Sequence, residues 1–279
     1  MLKTRALAVL ASTLLLAGCN FPGAGAPSAV APTLLPDTLP PGEMTPTSLS
    51  TAPFPSPPAL PEEAILILEP GPGSRLVGSI HISGIADTTF EQNLGIRVLL
   101  DDGSLLAQTS TIIDVPLGNR GPFEADVPFT IAGERNAFIE VYSASPRDGG
   151  ITHLNSMGVI LAEAGPVDIA PASPHPEDIN IHAPVSGATV SGGVVHVEGI
   201  GIASFEQTLV VTVYNADGAA IATLPLIVAA PDFGLPGTFS IDVPYMVARS
   251  QPGRITVSDP SAVFLGDNHL ASVEVTLAP

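Results

Sequence analysis

The stretch SIHISGIADTTFEQNLGIRVLLDDG, Ser79–Gly103, is answered 115 residues later by VVHVEGIGIASFEQTLVVTVYNADG, Val194–Gly218. In both copies apolar residues mostly alternate with polar or small ones, the period of a strand with one face on a core. Asp102-Gly103, set between apolar runs, is a tight hairpin signal. Gly84/Gly199, Phe90/Phe205, Glu91/Glu206, Gln92/Gln207, Val98/Val213 and Gly103/Gly218 all lie 115 apart. Phe123/Phe239 and Pro128/Pro244 lie 116 apart, one insertion later. A register held over that length marks a duplicated folding unit, not a chance tripeptide.

Outward from this stretch each unit reads the same way. The runs ILIL, SIHISG, LGIRVLL, LLAQTSTII, FEADVPF, AFIEVYS and SMGVILA are short. Gly73, Asp102-Gly103, Gly118, Gly121-Pro122 and Asp148-Gly149-Gly150 separate them. No window carries a convincing helical period. The pattern predicts all-β units, each an antiparallel sandwich of half-buried strands. INIHAPVSGATV then restarts what ILILEPGPGSRLV began, and GTFSIDVPY repeats GPFEADVPF. The two domains span 63–162 and 178–279. Between them 163–177, EAGPVDIAPASPHPE, reads as a Pro-rich linker that predicts limited, semi-rigid separation.

The chain opens MLKTRALAVLASTLLLAGC. Lys3 and Arg5 form a positive n-region, and the apolar stretch Ala6–Leu16 is too short to span a bilayer. This reads as a secretory signal peptide, 1–18. Leu16-Ala17-Gly18-Cys19 resembles the lipobox of bacterial lipoproteins, which implies lipidation at Cys19, the chain's one cysteine. An acylated Cys19 leaves no disulfide, so the folded part must rest on its core. The Pro-, Ser- and Thr-rich run from Cys19 to residue 62 has no apolar period and is expected to be a disordered, extended tether reaching on the order of 100 Å.

The chain carries 27 acidic residues against 9 Lys and Arg. Loss of Lys3 and Arg5 with the signal leaves a mature charge of 7 − 27 = −20, without lysine. Such a surface repels nucleic acid and anionic headgroups.

The recurrent residues also carry a family likeness. Ile65, Ile67, Pro70, Ile80, Ile82, Gly84, Phe90, Glu91, Gly103, Phe123, Val127 and Phe129 follow one pattern. Ile179, Ile181, Pro184, Val195, Val197, Gly199, Phe205, Glu206, Gly218, Phe239, Val243 and Tyr245 repeat it. Each copy resembles the immunoglobulin-like domain of bacterial spore germination, often called Gmad2. Ser145, Asp148 and Gly149 keep the family's Ser-x-x-Asp-Gly turn. The resemblance covers about 200 of the 279 residues. It implies two tandem immunoglobulin-like, seven-stranded sandwiches in an envelope protein, with no enzymatic activity and no cofactor.

Glu91 and Glu206 of Phe-Glu-Gln read as acids or ligands, or as turn residues. The structural reading is favoured, with Phe90 and Phe205 entering the core, because no second acid recurs beside them and a general acid needs a partner. Gly103, Phe123, Gly218 and Phe239 are structural by the same argument. His81 and His196 alternate with apolar neighbours and so face outward. No HxH, HExxH or other closely spaced ligand set is present, so no metal is expected. Asp101, Asp102 and Asp114 are weak calcium candidates, should they gather at a loop end. No Gly-x-Ser-x-Gly elbow or phosphate-cradling glycine loop occurs. A sugar platform is disfavoured by the lack of Trp and by only three Tyr.

These readings predict a non-catalytic lipoprotein on the extracytoplasmic face of the cell membrane. Its tandem domains would bind or scaffold an envelope protein or a cell-wall polymer. The alternative is a solute- or glycan-binding lipoprotein that delivers a ligand to a membrane partner.

Overall fold

Alternation in the first repeat becomes strands with one dry face. In β3 (Ser79–Ala86) Ile80, Ile82 and Ala86 are buried while Ser79 and His81 are exposed. It pairs antiparallel with β1 (Ile65–Glu69) and β6 (Gly121–Pro128) to make one sheet. Against it packs β4 (Asn93–Leu100), flanked by β5 (Leu105–Ile112) and β7 (Glu134–Ala144), with β8 (Ile151–Ala162) beyond. The short β2 (Arg75–Val77) joins β8 in parallel. Ile65, Ile67, Leu94, Ile96, Ile139, Val141, Val159 and Leu161 fill the space between the sheets.

The second repeat reuses the plan. Strand β11 (Val194–Gly201) lies between β9 (Ile179–Ala183) and β14 (Gly237–Pro244). Facing them, β12 (Thr208–Tyr214) sits between β13 (Ala220–Ile227) and β15 (Gln251–Pro260). Strand β16 (Asp267–Leu277) follows, with β10 (Thr189–Val190) parallel to it. A second, separate core forms here. Each sandwich thus shows eight segments, not seven, because its first strand breaks and changes sheets. Prolines cause the break, since Pro70 and Pro72, like Pro184, donate no ladder hydrogen bond. The structure is a computed structural model and describes residues 60–279. The signal peptide, Cys19 and the tether up to residue 59 lie outside the described residues.

The recurrent glycine has a packing cause. Gly84 faces Phe123 across the β3–β6 ladder, and a Cβ there would sit 2.5 Å from the Phe123 ring and 2.2 Å from Leu66 O. Gly199 stands likewise 2.6 Å from Phe239 and 2.2 Å from Asn180 O. Each domain lays one buried ring across a bare stretch of backbone, which any side chain would displace.

The linker expectation is corrected. The two domains are not held apart, because β8 pairs directly with β16 and a ten-stranded sheet runs through both. Residues 164–170 fold back onto the first domain: Asp168 and Arg75 exchange backbone hydrogen bonds of 2.7 and 2.9 Å, and Gly71 N donates to Ala170 O at 3.1 Å. A Pro-rich segment leaves its carbonyls unpaired within itself, and Arg75 collects two of them, Ala164 O and Pro166 O.

The junction is close to two-fold symmetric. Leu154 pairs with Leu270, and these are equivalent positions 116 apart. Glu62 bridges Pro176, equivalent positions 114 apart, as Ile65 and Ile179 are. Equivalent positions face each other, as in an isologous dimer interface.

Candidate functional site

Two elements cross that axis, and each carries one titratable residue per repeat. On β8, Val159 and Leu161 face the core; on β16, Val275 and Leu277 do. Period two puts His153 and His269 on those same faces, at the ends where the strands leave their own cores and meet. Ahead of β1 and β9, the segments around Glu62 and Pro176 run antiparallel, with Glu63 N bonded to His175 O and Glu177 N to Pro61 O. That pairing turns Glu63 and Glu177 toward the histidines. The donor atoms of all four side chains lie within 4.8 Å of one another.

The cluster is almost closed to water. The side chains of Glu63 and His269 are 0% and 1% exposed, Glu177 7% and His153 14%. Glu63 Oε1 lies 2.8 Å from His153 Nε2 and Oε2 lies 3.0 Å from His269 Nε2. Glu177 Oε2 accepts from Ala64 N, while Oε1 lies 3.1 Å from His269 Nε2 outside hydrogen-bonding geometry and has no donor. The His153 and His269 rings meet edge to face at 4.9 Å.

Burial alone would keep Glu63 protonated, yet the two histidine hydrogen bonds outweigh it and hold its carboxyl well below the usual carboxylate range. Burial likewise opposes the charged form of His269. Glu177 and Glu63 overcome it and push the imidazole up to about 10. Removing one partner would strand a charge in a dry seam, a loss of about 3–5 kcal/mol. Two imidazoles and two carboxylates aimed at one point can act as an ion-pair clamp or hold a divalent ion.

The residues singled out from sequence lie elsewhere. Phe90 and Phe205 do not enter the core; they are 57% and 53% exposed. Glu91 and Gln92 both adopt left-handed backbone, φ 54° and 55°, as do Glu206 and Gln207 at 49° and 54°. This double left-handed step turns Gln inward in place of Phe. Gln92 is buried, accepts from Thr88 Oγ1 at 2.8 Å and donates to Asn119 O at 3.1 Å. Glu91 and Glu206 stay exposed at the turn. Gly103 and Gly218 are hairpin residues with φ 78° and 75°, and Phe123 and Phe239 are core.

Asp101 and Asp102 both pair with Arg135, whereas Asp114 lies past the far end of the eight-residue β5. The three therefore do not gather as the calcium reading required. His81 and His196 face outward, paired across the ladder with Asp126 at 3.0 Å and Asp242 at 2.8 Å. The expectation that no ligand set exists rested on short motifs, and the cluster at 63, 153, 177 and 269 escapes those. The usable signal was the repeat register, which relates Glu63 to Glu177 at 114 and His153 to His269 at 116.

With this geometry in view, comparison with known proteins fixes the class. The model of the family described as immunoglobulin-like domain of bacterial spore germination matches residues 64–150 and again 178–263. The matches span more than half of the chain, which belongs to this family. No curated protein matches it. Among solved structures, red sea bream transglutaminase is similar at 9% identity and a TM-score of 0.28, over 77% of this chain. The chain spans about a third of that enzyme's length (31%). Bovine butyrophilin is similar at 10% identity and a TM-score of 0.22, over 77% of this chain and 99% of that one. Among the described residues no helix is long and apolar enough to cross a membrane.

Proposed function

We propose that the protein is a non-catalytic cell-envelope lipoprotein whose two immunoglobulin-like domains form one rigid binding or scaffolding body. The observation that carries this is the β8–β16 pairing, which fuses the domains through a single sheet. A hinge-free body presents its loops and its two sheet edges, β5 and β13, at fixed separation. Acylation of Cys19 would anchor it on the extracytoplasmic face, with the Pro-rich run as tether. Partners would be an envelope protein or a wall polymer.

One feature favours the solute- or glycan-delivery reading as second choice. A cleft of about 490 Å³ runs along the domain junction, lined by Thr88, Thr152, Ser186, Ser272 and Glu274 beside the exposed Phe90. Hydroxyls and a carboxylate beside one ring suit a polar, ring-bearing ligand. Co-sedimentation of the protein with purified sacculi and with intact cells separates the readings. Saturable binding to sacculi supports a wall module, and binding to cells alone supports a protein partner. Binding to neither, with soluble glycan protecting Phe90 from exchange, supports the carrier. A Cys19→Ser chain that still fractionates with membranes would remove the lipoprotein reading.

A further inference from the structure

We propose that Glu63, His153, Glu177 and His269 form a structural divalent transition-metal site, of the zinc class, that locks the two domains together on their pseudo-two-fold axis. This does not depend on the envelope reading. Three observations carry it.

The first is the shape of the donor set. Four ligands held about 2.1 Å from a tetrahedral ion stand about 3.4 Å apart. Here Glu63 Oε1 and His153 Nε2 are 2.8 Å apart, Glu63 Oε2 and His269 Nε2 3.0 Å. His269 Nε2 and Glu177 Oε1 are 3.1 Å apart, and His153 Nε2 and Glu177 Oε1 3.7 Å. They involve both oxygens of Glu63, and one donor atom from each of the four residues lies within 4.8 Å of the others, so side-chain shifts of about an ångström bring the set to such a tetrahedron.

The second is the unpartnered atom. The hydrogen bonds of His153 and His269 Nε2 go to the two oxygens of Glu63 and leave Glu177 Oε1 buried with an ion-pair contact to His269 Nε2 at 3.1 Å but no hydrogen bond. A buried acceptor without a partner is costly. A cation at the centre engages both Nε2 atoms and one oxygen of each carboxylate at once, with the His269 proton then on Nδ1, which is buried without a partner.

The third is charge and closure. Binding an ion would release the proton that Glu177 and Glu63 hold on His269, and two carboxylates with two metal-bound neutral imidazoles then sum to −2, which a divalent ion cancels in a site that water scarcely reaches. Mixed nitrogen and oxygen donors suit zinc better than calcium or magnesium. The protein fills all four positions, so the site is structural and not catalytic. The symmetry gives the same answer, since each repeat supplies one Glu and one His, and neither repeat alone could hold the ion.

The full-length chain, purified in detergent without a His tag, is the material for the test. Its metal content would be measured by plasma mass spectrometry before and after exposure to Zn²⁺. Co²⁺ would be titrated in as a spectroscopic probe. The expected result is one ion per chain, visible absorption of tetrahedral Co²⁺, and a Tm raised by about 5–10 °C at a hundredfold excess of ion over Kd. His269→Gln and Glu177→Gln should each weaken binding by at least about 100-fold, since loss of an outer-shell partner alone costs about 10–100-fold, while His81→Gln should leave it intact. Should either site variant fail to fold, the Co²⁺ spectrum of the natural chain still decides. Sub-stoichiometric metal with a Tm indifferent to Zn²⁺, Mn²⁺ and Co²⁺ would overturn the proposal and leave an ion-pair clamp. Full binding retained by a folded E177Q or H269Q chain would overturn it too.

Discussion

The two flanks of the domain junction occupy equivalent positions and hold with different chemistry. On one flank Phe138 of β7 stacks on Phe264 of the β15–β16 loop, ring centroids 3.7 Å apart and 14° from parallel. On the other flank Arg254 of β15 bonds Asp148 of the β7–β8 loop at 2.7 Å. Arg254 follows Phe138 by 116 residues, and Phe264 follows Asp148 by the same 116. One loop-on-sheet contact therefore occurs twice, once as stacked rings and once as a buried ion pair. The backbone sets where the contact falls, and the side chains are free to differ. Duplication gave two copies of one geometry, and each copy settled on its own way of keeping the flank dry.

The ion-pair flank should be the more fragile to a single change. The side chains of Arg254 and Asp148 are 3% and 4% exposed. Asp148 also accepts from Gly150 N at 3.0 Å and pairs with Arg147 at 3.2 Å. Arg254 lies over the Tyr214 ring, 5.1 Å from its centroid. Asp148→Ala would leave the guanidinium buried beside that ring without its counter-ion, so a loss of about 3 kcal/mol is expected in urea unfolding. A loss below about 1 kcal/mol would mean that Tyr214 and solvent hold Arg254 unaided.

On the stacked flank, Phe264→Ala removes a ring that is 4% exposed but rests on a surface loop able to close in behind it. The expected loss is about 2 kcal/mol, at or below the low end for buried Phe. It should not change between pH 7 and pH 3, because no titratable group takes part in the stack. A stability difference that grew in acid would show that Glu140, buried under the same loop beside Gly266, contributes to this flank as well.

How far such detail could be read in the sequence depends on the range of the signal. Alternation around Ile80 and Ile82, the hairpin glycines and the recurrence of Gly84 and Phe123 at nearly one offset are written in the strands and the repeat and mark the all-β duplication, whereas the packing of Phe123 on Gly84 is visible only in the fold. Phe90 misled because two successive left-handed residues without glycine have no local sequence mark, and the inward turn fell to Gln92 instead. The junction was illegible for another reason. Its contacts join residues from 24 positions apart (His153 and Glu177) to 206 (Glu63 and His269), and a Pro-rich linker suggests spacing when its carbonyls are in fact taken up by Arg75. Only the paired offsets of 114 and 116, carried through to Glu63 and His153, could have placed the four buried ligands on one axis.

The sharpest test of the comparison makes the two flanks alike. Replacing Arg254 and Asp148 together by Phe puts rings where the ion pair stands. Exchange of a buried pair for apolar packing is often neutral or stabilising, so the double variant should lie within about 1 kcal/mol of the natural chain at pH 7 despite the loss in D148A alone. Acid then separates the two chains. Burial raises the Asp148 carboxyl, but Arg254, Gly150 N and Arg147 outweigh it and bring it to about 2 from an ordinary 3.8. A depressed carboxylate stabilises the fold above its unfolded value and loses that contribution as pH falls through the folded one, here between about pH 4 and pH 2. After screening, the term is about 1 kcal/mol. The natural chain should lose it across that window, and the double-Phe chain should show only the acid response of its other carboxylates. Parallel stability curves for the two chains between pH 4 and pH 2 would show that Asp148 contributes by shape and hydrogen bonding, with its charge already neutralised by solvent.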